Sequence, residues 1–401
     1  MATMRAWVFT ATGAPMRLEA APAPGAGDQL PPGSALVRIS AATICGSDVH
    51  TIDGKRTDPA APLVLGHEGV GEVVLLGAGA APGGVALGER VTWSVAASEC
   101  GGACEPCARW SLPQKCSRLK KYGHFGWGAA PTGRGGGVEG FAGTYASHVL
   151  LTAGSCVVRL PAGLPDAVAA PANCALATMV NAVTHSALLR GGGVAAALVQ
   201  GAGMLGLYGV ALLKHGGGDG ARAPFVAVTD VSPARLALAR RFGADVAVDV
   251  TGKDDAAVAA ELASALAAAA ADAAAGAPAA ASAAPSPAGF DLVLEVCGSS
   301  AVVPLALRAL RPGGEIVFVG QVHPGTPLAG VTGDAVIRRC ATIRGVHNYT
   351  PADLAAGVSF LARTAGLPYA ELVSAPYALD ELPAAVELAR SGQFARVLVT
   401  P

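Results

Sequence analysis

The stretch that most restricts the fold of this 401-residue chain is Gln200-Gly201-Ala202-Gly203-Met204-Leu205-Gly206. Before it stands an apolar run of strand length, Val194-Ala195-Ala196-Ala197-Leu198-Val199, and after it a helix-length run from Leu207 to His215. G-x-G-x-x-G in that setting predicts a strand, a tight turn and a helix that bind a dinucleotide. Gly201 permits the turn, Gly203 lets the backbone approach a pyrophosphate, and Gly206 lets helix and strand pack closely. Met204 and Leu205 open the helix, whose first amides face the anion. The next strand, Phe225-Val226-Ala227-Val228-Thr229, ends at Asp230, 24 residues past Gly206. An acidic side chain there accepts bonds from the adenosine ribose hydroxyls and repels a 2′-phosphate, which favours NAD over NADP. A second reading makes Asp230 the N-cap of a helix beginning at Ser232-Pro233. Arg235, one turn later, works against the NAD preference because it can meet a phosphate or stack on adenine.

Two further runs, Leu292-Val293-Leu294-Glu295-Val296 and Glu315-Ile316-Val317-Phe318-Val319, are short and apolar on both faces. Strands of this kind, linked by helix-length segments, predict an α/β fold with a doubly wound parallel sheet. The chain up to about Arg159 is different. Short β-like runs such as Ala35-Leu36-Val37-Arg38-Ile39 and Gly71-Glu72-Val73-Val74-Leu75-Leu76 alternate with Gly and Pro, as in an irregular β-rich domain. From Ala341 to Pro401 the character is mixed again, ending in a strand, Arg396-Val397-Leu398-Val399, that rejoins the first domain. Between Asp249 and Phe290, Ala256–Ala271 can form a helix. Ala273–Ala288 is almost only Ala, Pro, Ser and Gly and reads as a solvated insertion in a βα connection.

Composition excludes several classes. Lys plus Arg is 28 against 29 Asp plus Glu, so the chain lacks the positive surplus of a nucleic-acid protein. An apolar share of 52% excludes disorder of the whole chain. The uncharged stretch Gly191–Leu213 is long enough for a lipid span, yet seven glycines and Gln200 interrupt it. The Ala-rich stretch carries Glu261 and Asp272, so no membrane partner is expected. Arg5-Ala6-Trp7-Val8-Phe9 enters a strand at once, leaving no room for a signal peptide and placing the chain in the cytoplasm.

Four of nine cysteines, Cys100, Cys104, Cys107 and Cys116, fall within 17 residues. In a reducing compartment such a cluster indicates metal before disulfides, and four thiolates suit a closed tetrahedral structural zinc site. Its basic residues, Arg109, Lys115, Arg118, Lys120 and Lys121, read as a solvated loop that can also attract an anionic substrate. Trp93, Tyr122, His124, Phe125 and Trp127 are candidate pocket-lining residues. Three more segments stand out: Cys45-Gly46-Ser47-Asp48-Val49-His50, Gly66-His67-Glu68 and Pro171-Ala172-Asn173-Cys174.

Gly66-His67-Glu68-Gly69-Val70-Gly71, with Gly77 beyond it, resembles the signature of the zinc-containing medium-chain alcohol dehydrogenases. The cysteine lobe and the dinucleotide turn follow in that family's order, and the resemblance covers nearly the whole chain apart from the Ala-rich insertion. Leu112-Pro113-Gln114-Lys115-Cys116, Lys121-Tyr122-Gly123-His124 and Gly345-Val346-His347-Asn348-Tyr349-Thr350 further resemble a subgroup, the phosphonate-catabolism-associated alcohol dehydrogenases. The resemblance implies a GroES-like catalytic domain with a structural zinc lobe over 1–170. It implies a Rossmann domain over 171–338, with the insertion at about 252–288, and a return to the catalytic domain over 339–401.

It also implies two zinc ions per chain, NAD, a small-molecule alcohol substrate, hydride transfer giving an aldehyde or ketone, and a homo-oligomer, dimer or tetramer. Cys45, His67 and Cys174 become the catalytic zinc ligands, in the Cys₂His set for which alcohol dehydrogenase is the standing example. Glu68 becomes a transient ligand, Asp48 the carboxylate behind His67, and Ser47 with His50 a path for the proton. The lobe spacing is C-x3-C-x2-C-x8-C, one residue longer than the family's in its first and last gaps; Gly101 and Gly102 can absorb one. Zinc-independent quinone and enoyl reductases of this fold lack the ligand set, and a non-catalytic nucleotide-binding relative would not need it.

Overall fold

The computed structural model describes residues 3–24, 29–56, 62–124, 137–191, 193–217, 223–275, 284–323, 325–328 and 330–401. Phe125 and Trp127 lie outside them. The chain divides into two compact units. One comprises Met1–Ala177, Thr350–Ala365 and Tyr369–Pro401; the other comprises Thr178–Tyr349 and Gly366–Pro368.

The second unit is built on a six-stranded, wholly parallel sheet. Its spatial order is Val246–Asp249, Phe225–Asp230, Ala196–Gln200, Phe290–Glu295, Leu310–Phe318, Thr342–Gly345. Numbered along the chain this is 3-2-1-4-5-6, the doubly wound order in which the strand sequence reverses beside the first strand. Every residue of Ala196–Gln200 and of Phe290–Glu295 is buried, as strands covered on both faces must be. Their C-terminal ends open the crevice where such sheets bind ligands.

The expected insertion over 252–288 needs correcting in its first half. Asp255–Ala275 is one regular helix, and Val258, Leu262 and Leu266, spaced four apart, belong to the core with Leu198, Val248, Phe290 and Ile316. This is an ordinary crossover helix of the sheet. The helix expected over Ala256–Ala271 is therefore present, and what the alanines concealed is its core-facing stripe, because alanine favours helix without marking a face. By length and composition alone Asp255–Ala274 would also cross a membrane; its three large apolar side chains are spent on the core. Two strands also escaped the sequence reading, Val246–Asp249 and Thr342–Gly345. Both are edge strands whose residues are mostly part-exposed.

The first unit centres on a sheet ordered Val373–Ala378, Arg396–Thr400, Ala35–Ile44, Glu68–Leu76, Arg90–Ser98, Leu119–Lys121. His148–Leu151 also pairs with Ala35–Ile44, and Ser155–Arg159 with Arg90–Ser98. A smaller sheet joins Arg17–Pro22, Thr3–Phe9 and Leu63–Val64. The last strand lies antiparallel to Ala35–Ile44, with Val397 opposite Ile44 and Leu398 opposite Thr43. That register sets Arg396 beside the end of the strand from which Cys45 projects. Trp93 and Tyr122 are fully buried core residues with Val37, Val91 and Leu151, which removes both as pocket-lining candidates.

Candidate active site

In the first unit the chain brings Cys45, His67, Glu68 and Cys174 together, their ligand atoms all within 4.8 Å of one another. Each arrives at an element boundary. Cys45 caps the helix Gly46–Ile52 directly after the strand Ala35–Ile44, and Cys174 follows the short turn Ala170–Asn173. His67 and Glu68 open the strand Glu68–Leu76 after a turn at Gly66. Gly66 has φ +86, and a Cβ there would stand 2.5 Å from Thr144 Oγ1 and 2.6 Å from Tyr145 Cδ1. Only glycine allows that turn, which aims the imidazole inward.

Asp48 is fully buried and its carboxylate does two things. One oxygen accepts from the Cys45 backbone N–H at 3.0 Å, and the other accepts from His67 Nδ1 at 3.1 Å. The tautomer follows, since a carboxylate only accepts, and Nε2 is left to face the thiols. Asn173 donates to the carbonyls of His67 at 2.9 Å and Trp93 at 2.7 Å, tying the loop before Cys174 to the His67 backbone. Burial pulls the His67 pKa down, but Asp48 and Cys45 together lift it to about 10. The Cys174 thiol holds Cys45 well below the usual thiol range, with Arg396 adding to the effect. Cys174 is itself pushed up by the same contact and by burial. Two sulfurs and one imidazole at this spacing, backed by a carboxylate, fit a Cys₂His zinc site.

Sequence reasoning missed Arg396. Its Nε donates to both Glu68 oxygens at 3.0 and 2.7 Å, and Nη2 donates to Glu68 Oε1 at 2.8 Å and to Cys45 Sγ at 3.5 Å. Thr43 Oγ1 donates to Glu68 Oε2 at 2.6 Å. Burial raises Glu68 to about 7 against the pull of Arg396. The signal available in the sequence was a charged residue opening an otherwise apolar terminal strand. Ser47 and His50 are both half-buried and three apart on the helix Gly46–Ile52, hence on one face.

The four lobe sulfurs of Cys100, Cys104, Cys107 and Cys116 also lie within 4.8 Å of one another, with Cys100 to Cys107 at 3.5 Å and Cys104 to Cys116 at 3.8 Å. A zinc–sulfur bond of about 2.3 Å implies a tetrahedral edge of about 3.8 Å, so the cage fits the ion. Gly101 and Gly102 take φ +63 and +84 with open space around them, which accommodates the lengthened first gap. Backbone N–H groups point at the sulfurs. That of Ser117 leads in drawing Cys104 down to about 6, and that of Cys104 leads in lowering Cys100. Burial raises Cys107 and Cys116.

In the second unit the dinucleotide turn is formed as expected. Gly201 has φ +108, and a Cβ on Gly206 would lie 1.8 Å from the Gly201 carbonyl oxygen. Gly203 caps the helix Met204–His215 with no side-chain cap, and a Cβ there would touch nothing within 4 Å. Bare amides and open space are what a pyrophosphate needs. Met204 is buried and Leu205 half-buried at the helix start. Asp230 Oδ2 accepts from Ala202 N at 2.6 Å and Oδ1 from Ser232 N at 2.9 Å, so its carboxylate stands against the turn. The N-cap of the next helix, Pro233–Arg241, is Ser232, whose hydroxyl accepts from Arg235 N at 3.4 Å. Asp230 is therefore not the cap. Arg235 is half-buried in the first turn of that helix.

Comparison with known proteins agrees with both units. Residues 31–162 match the family described as alcohol dehydrogenase GroES-like domain, and 205–363 match zinc-binding dehydrogenase. An L-threonine 3-dehydrogenase of Ruegeria pomeroyi is 30% identical over 80% of this chain and 78% of its own. A sorbitol dehydrogenase of Halalkalibacterium halodurans is 28% identical over 91% of each. The crystal structure of an alcohol dehydrogenase from Thermotoga maritima superposes with a TM-score of 0.84 at 25% identity, covering 100% of both chains. These matches carry nothing about the phosphonate-associated subgroup.

Proposed function

Because the chain belongs to the zinc-containing medium-chain alcohol dehydrogenases, we propose that Cys45, His67 and Cys174 hold its catalytic zinc and that Cys100, Cys104, Cys107 and Cys116 hold a structural one. The reaction is reversible oxidation of an alcohol to a carbonyl with a nicotinamide cofactor. Zinc, when bound, supplies Lewis acidity that lowers the pKa of an alcohol, and the nicotinamide supplies the hydride acceptor. The remaining work belongs to the chain. Asp48 orients His67 through Nδ1, and Asn173 fixes the backbone on either side of the ligand pair. Arg396 and Thr43 hold Glu68 at the rim of the ligand set, from which it serves as a transient ligand. Ser47 would take up the alcohol proton as it releases its own hydroxyl proton, and His50 would carry that proton to water.

The four-residue cluster, three of its members buried and Cys174 half-buried, carries this reading with its Asp48–His67 bond. Asp230 supports NAD as the preferred cofactor, since it ends the second strand with its carboxylate held against the glycine turn, where an acidic side chain repels a 2′-phosphate. The test is a metal count beside steady-state kinetics. Two zinc ions per chain, alcohol-dependent cofactor reduction and a higher kcat/KM with NAD than NADP are expected. Full activity in metal-free protein would overturn the zinc assignment, and a preference for NADP would overturn the role of Asp230.

We also infer a homo-oligomer. Thr342–Gly345 is an edge strand of the second unit's sheet, and Ile343 on it is exposed, as are Ile337, Leu328 and Val322 elsewhere in that unit. Among the described residues that edge has no further strand beside it, and an open edge with exposed apolar side chains invites pairing with a second copy. Sedimentation as a monomer at micromolar concentration would rule this out. None of the nine cysteines is disulfide-bonded, and we infer a reducing, cytoplasmic compartment that keeps them available as metal ligands; recovery in an oxidising compartment would contradict that placement.

A further inference from the structure

The sheet of the second unit ends in two buried polar side chains that the glycine turn itself does not require. Gln200 closes the first strand and pairs in register with Glu295, which closes the fourth. Side chains alternate along a strand, so both share the face of Ala196, Leu198 and Val293, which packs against Val258, Leu262 and Leu305. Both are fully buried. An otherwise apolar face thus carries an amide and a carboxyl at its last position, one residue before Gly201.

Glu295 is a junction between three strand ends. Its Oε1 accepts from the amides of Cys297 at 3.0 Å and Gly298 at 2.6 Å. Its backbone carbonyl accepts from Val319 N at 2.9 Å and Gly320 N at 3.1 Å. The bend it holds is crowded on both sides. Gly298 has φ +76, and a Cβ there would stand 2.6 Å from the Gly320 carbonyl oxygen; a Cβ on Gly201 would stand 2.8 Å from that of Cys297. One side chain therefore sets the bend after the fourth strand against the glycine turn after the first. These are the carboxyl ends of neighbouring strands where the strand order reverses, the place at which such a sheet binds its ligand.

Among the described residues, Glu295 Oε2 and Gln200 Oε1 have no hydrogen-bond partner. Gln200 Nε2 donates to the Val302 carbonyl at 2.9 Å, which fixes the amide's orientation because a carbonyl only accepts. Two buried acceptor oxygens on paired residues of adjacent strands are satisfied together by one proton on Glu295 Oε2. An ionised carboxylate would instead leave a bare charged oxygen in the interior, at a cost well above that of the neutral acid. Burial raises the Glu295 pKa, against the pull of the bonds from Gly298 and Cys297.

We propose that Glu295, a neutral acid bonded to Gln200, is a positioning residue of the cofactor site that fixes the Cys297–Gly298 bend where a nicotinamide dinucleotide enters the crevice. It acts through the amides of that bend. The inference rests on the dinucleotide reading above and adds a residue to it.

The test titrates NADH, by quenching of protein fluorescence, into the zinc-loaded protein and its variants. Glu295→Ala should bind NADH at least about tenfold more weakly, the worth of one hydrogen bond of the bend. KM for NAD should rise with it, while kcat at saturating NAD is no lower and the metal content is unchanged. Glu295→Gln should restore most of the affinity, since its oxygen still accepts from the two amides and its nitrogen replaces the acid proton toward Gln200. A general loss of packing would lower the melting temperature without that split between KM and kcat. The infrared difference spectrum between the unaltered protein and Glu295→Gln should show the C=O band of a protonated carboxyl. Parental NADH affinity in Glu295→Ala overturns the positioning role. Should that variant fail to fold, Glu295→Gln decides: near-parental affinity with the acid band present supports the proposal, and a tenfold loss or a missing band overturns it. Absence of NADH binding to the unaltered protein removes the dinucleotide reading itself, and this inference with it.

Discussion

Cys174→Ser is expected to lower kcat/KM by at least about a thousandfold and to reduce bound zinc from two ions per chain to one. A Lewis acid at a developing charge is worth several kcal/mol, and about 4 kcal/mol corresponds to a factor of a thousand. The loss should be local. Cys45 and Cys174 are mutual neighbours in a buried cluster, so removing one sulfur leaves the other with Arg396 and His67 for company. The lobe sulfurs form their own cage and should keep their ion. Asp48→Asn offers a graded comparison, because Asn can hold the His67 ring while forfeiting the charge. Zinc affinity should fall about 10- to 100-fold there, the range seen for partners behind a ligand. Retention of two zinc ions and normal turnover in Cys174→Ser would remove Cys174 from the ligand set.

Gly206→Val should weaken NAD binding by about 2–3 kcal/mol, roughly 30- to 150-fold, and lower thermal stability as well. The added Cβ would stand 1.8 Å from the Gly201 carbonyl oxygen and 2.9 Å from its carbon, and backbone cannot yield as a side-chain tip can. The helix Met204–His215 must then tilt away from the strand, carrying its amides off the pyrophosphate position. Gly203→Ala separates the two effects. Its Cβ meets nothing in the protein, so the melting temperature should stay close to that of the parent, yet it enters the space a pyrophosphate would occupy. Quenching of protein fluorescence by NADH measures both affinities. Parental affinity in both variants would show that the nucleotide binds elsewhere.

Arg396 and Glu68 illustrate what the sequence withheld. They are separated by 328 positions and meet because the last strand pairs with Ala35–Ile44. No local spacing announces such a contact. Arg56 and His124 are 68 apart and meet only where the turn after Tyr122 folds back toward the helix Gly46–Ile52. The helix Asp255–Ala275 shows a different limit. Its core stripe of Val258, Leu262 and Leu266 has regular spacing, but alanine everywhere else flattens the contrast between faces.

The sequence by itself determined the dinucleotide turn, the alternation of strand and helix around it, and the four-cysteine lobe. Each of these is encoded within a few dozen residues, where spacing along the chain dictates spacing in space. The catalytic ligands were legible through their resemblance to a family, since Cys45, His67 and Cys174 are too far apart for spacing alone to join them. The tertiary structure alone decided that one Asp48 carboxylate serves both His67 and the Cys45 amide, that Arg396 restrains Glu68, and that Arg56 meets His124 beside the ligands. Those contacts depend on which strand ends the sheet brings together. That is set by packing the whole unit, and a buried charge reveals its partner only once the chain has closed around it.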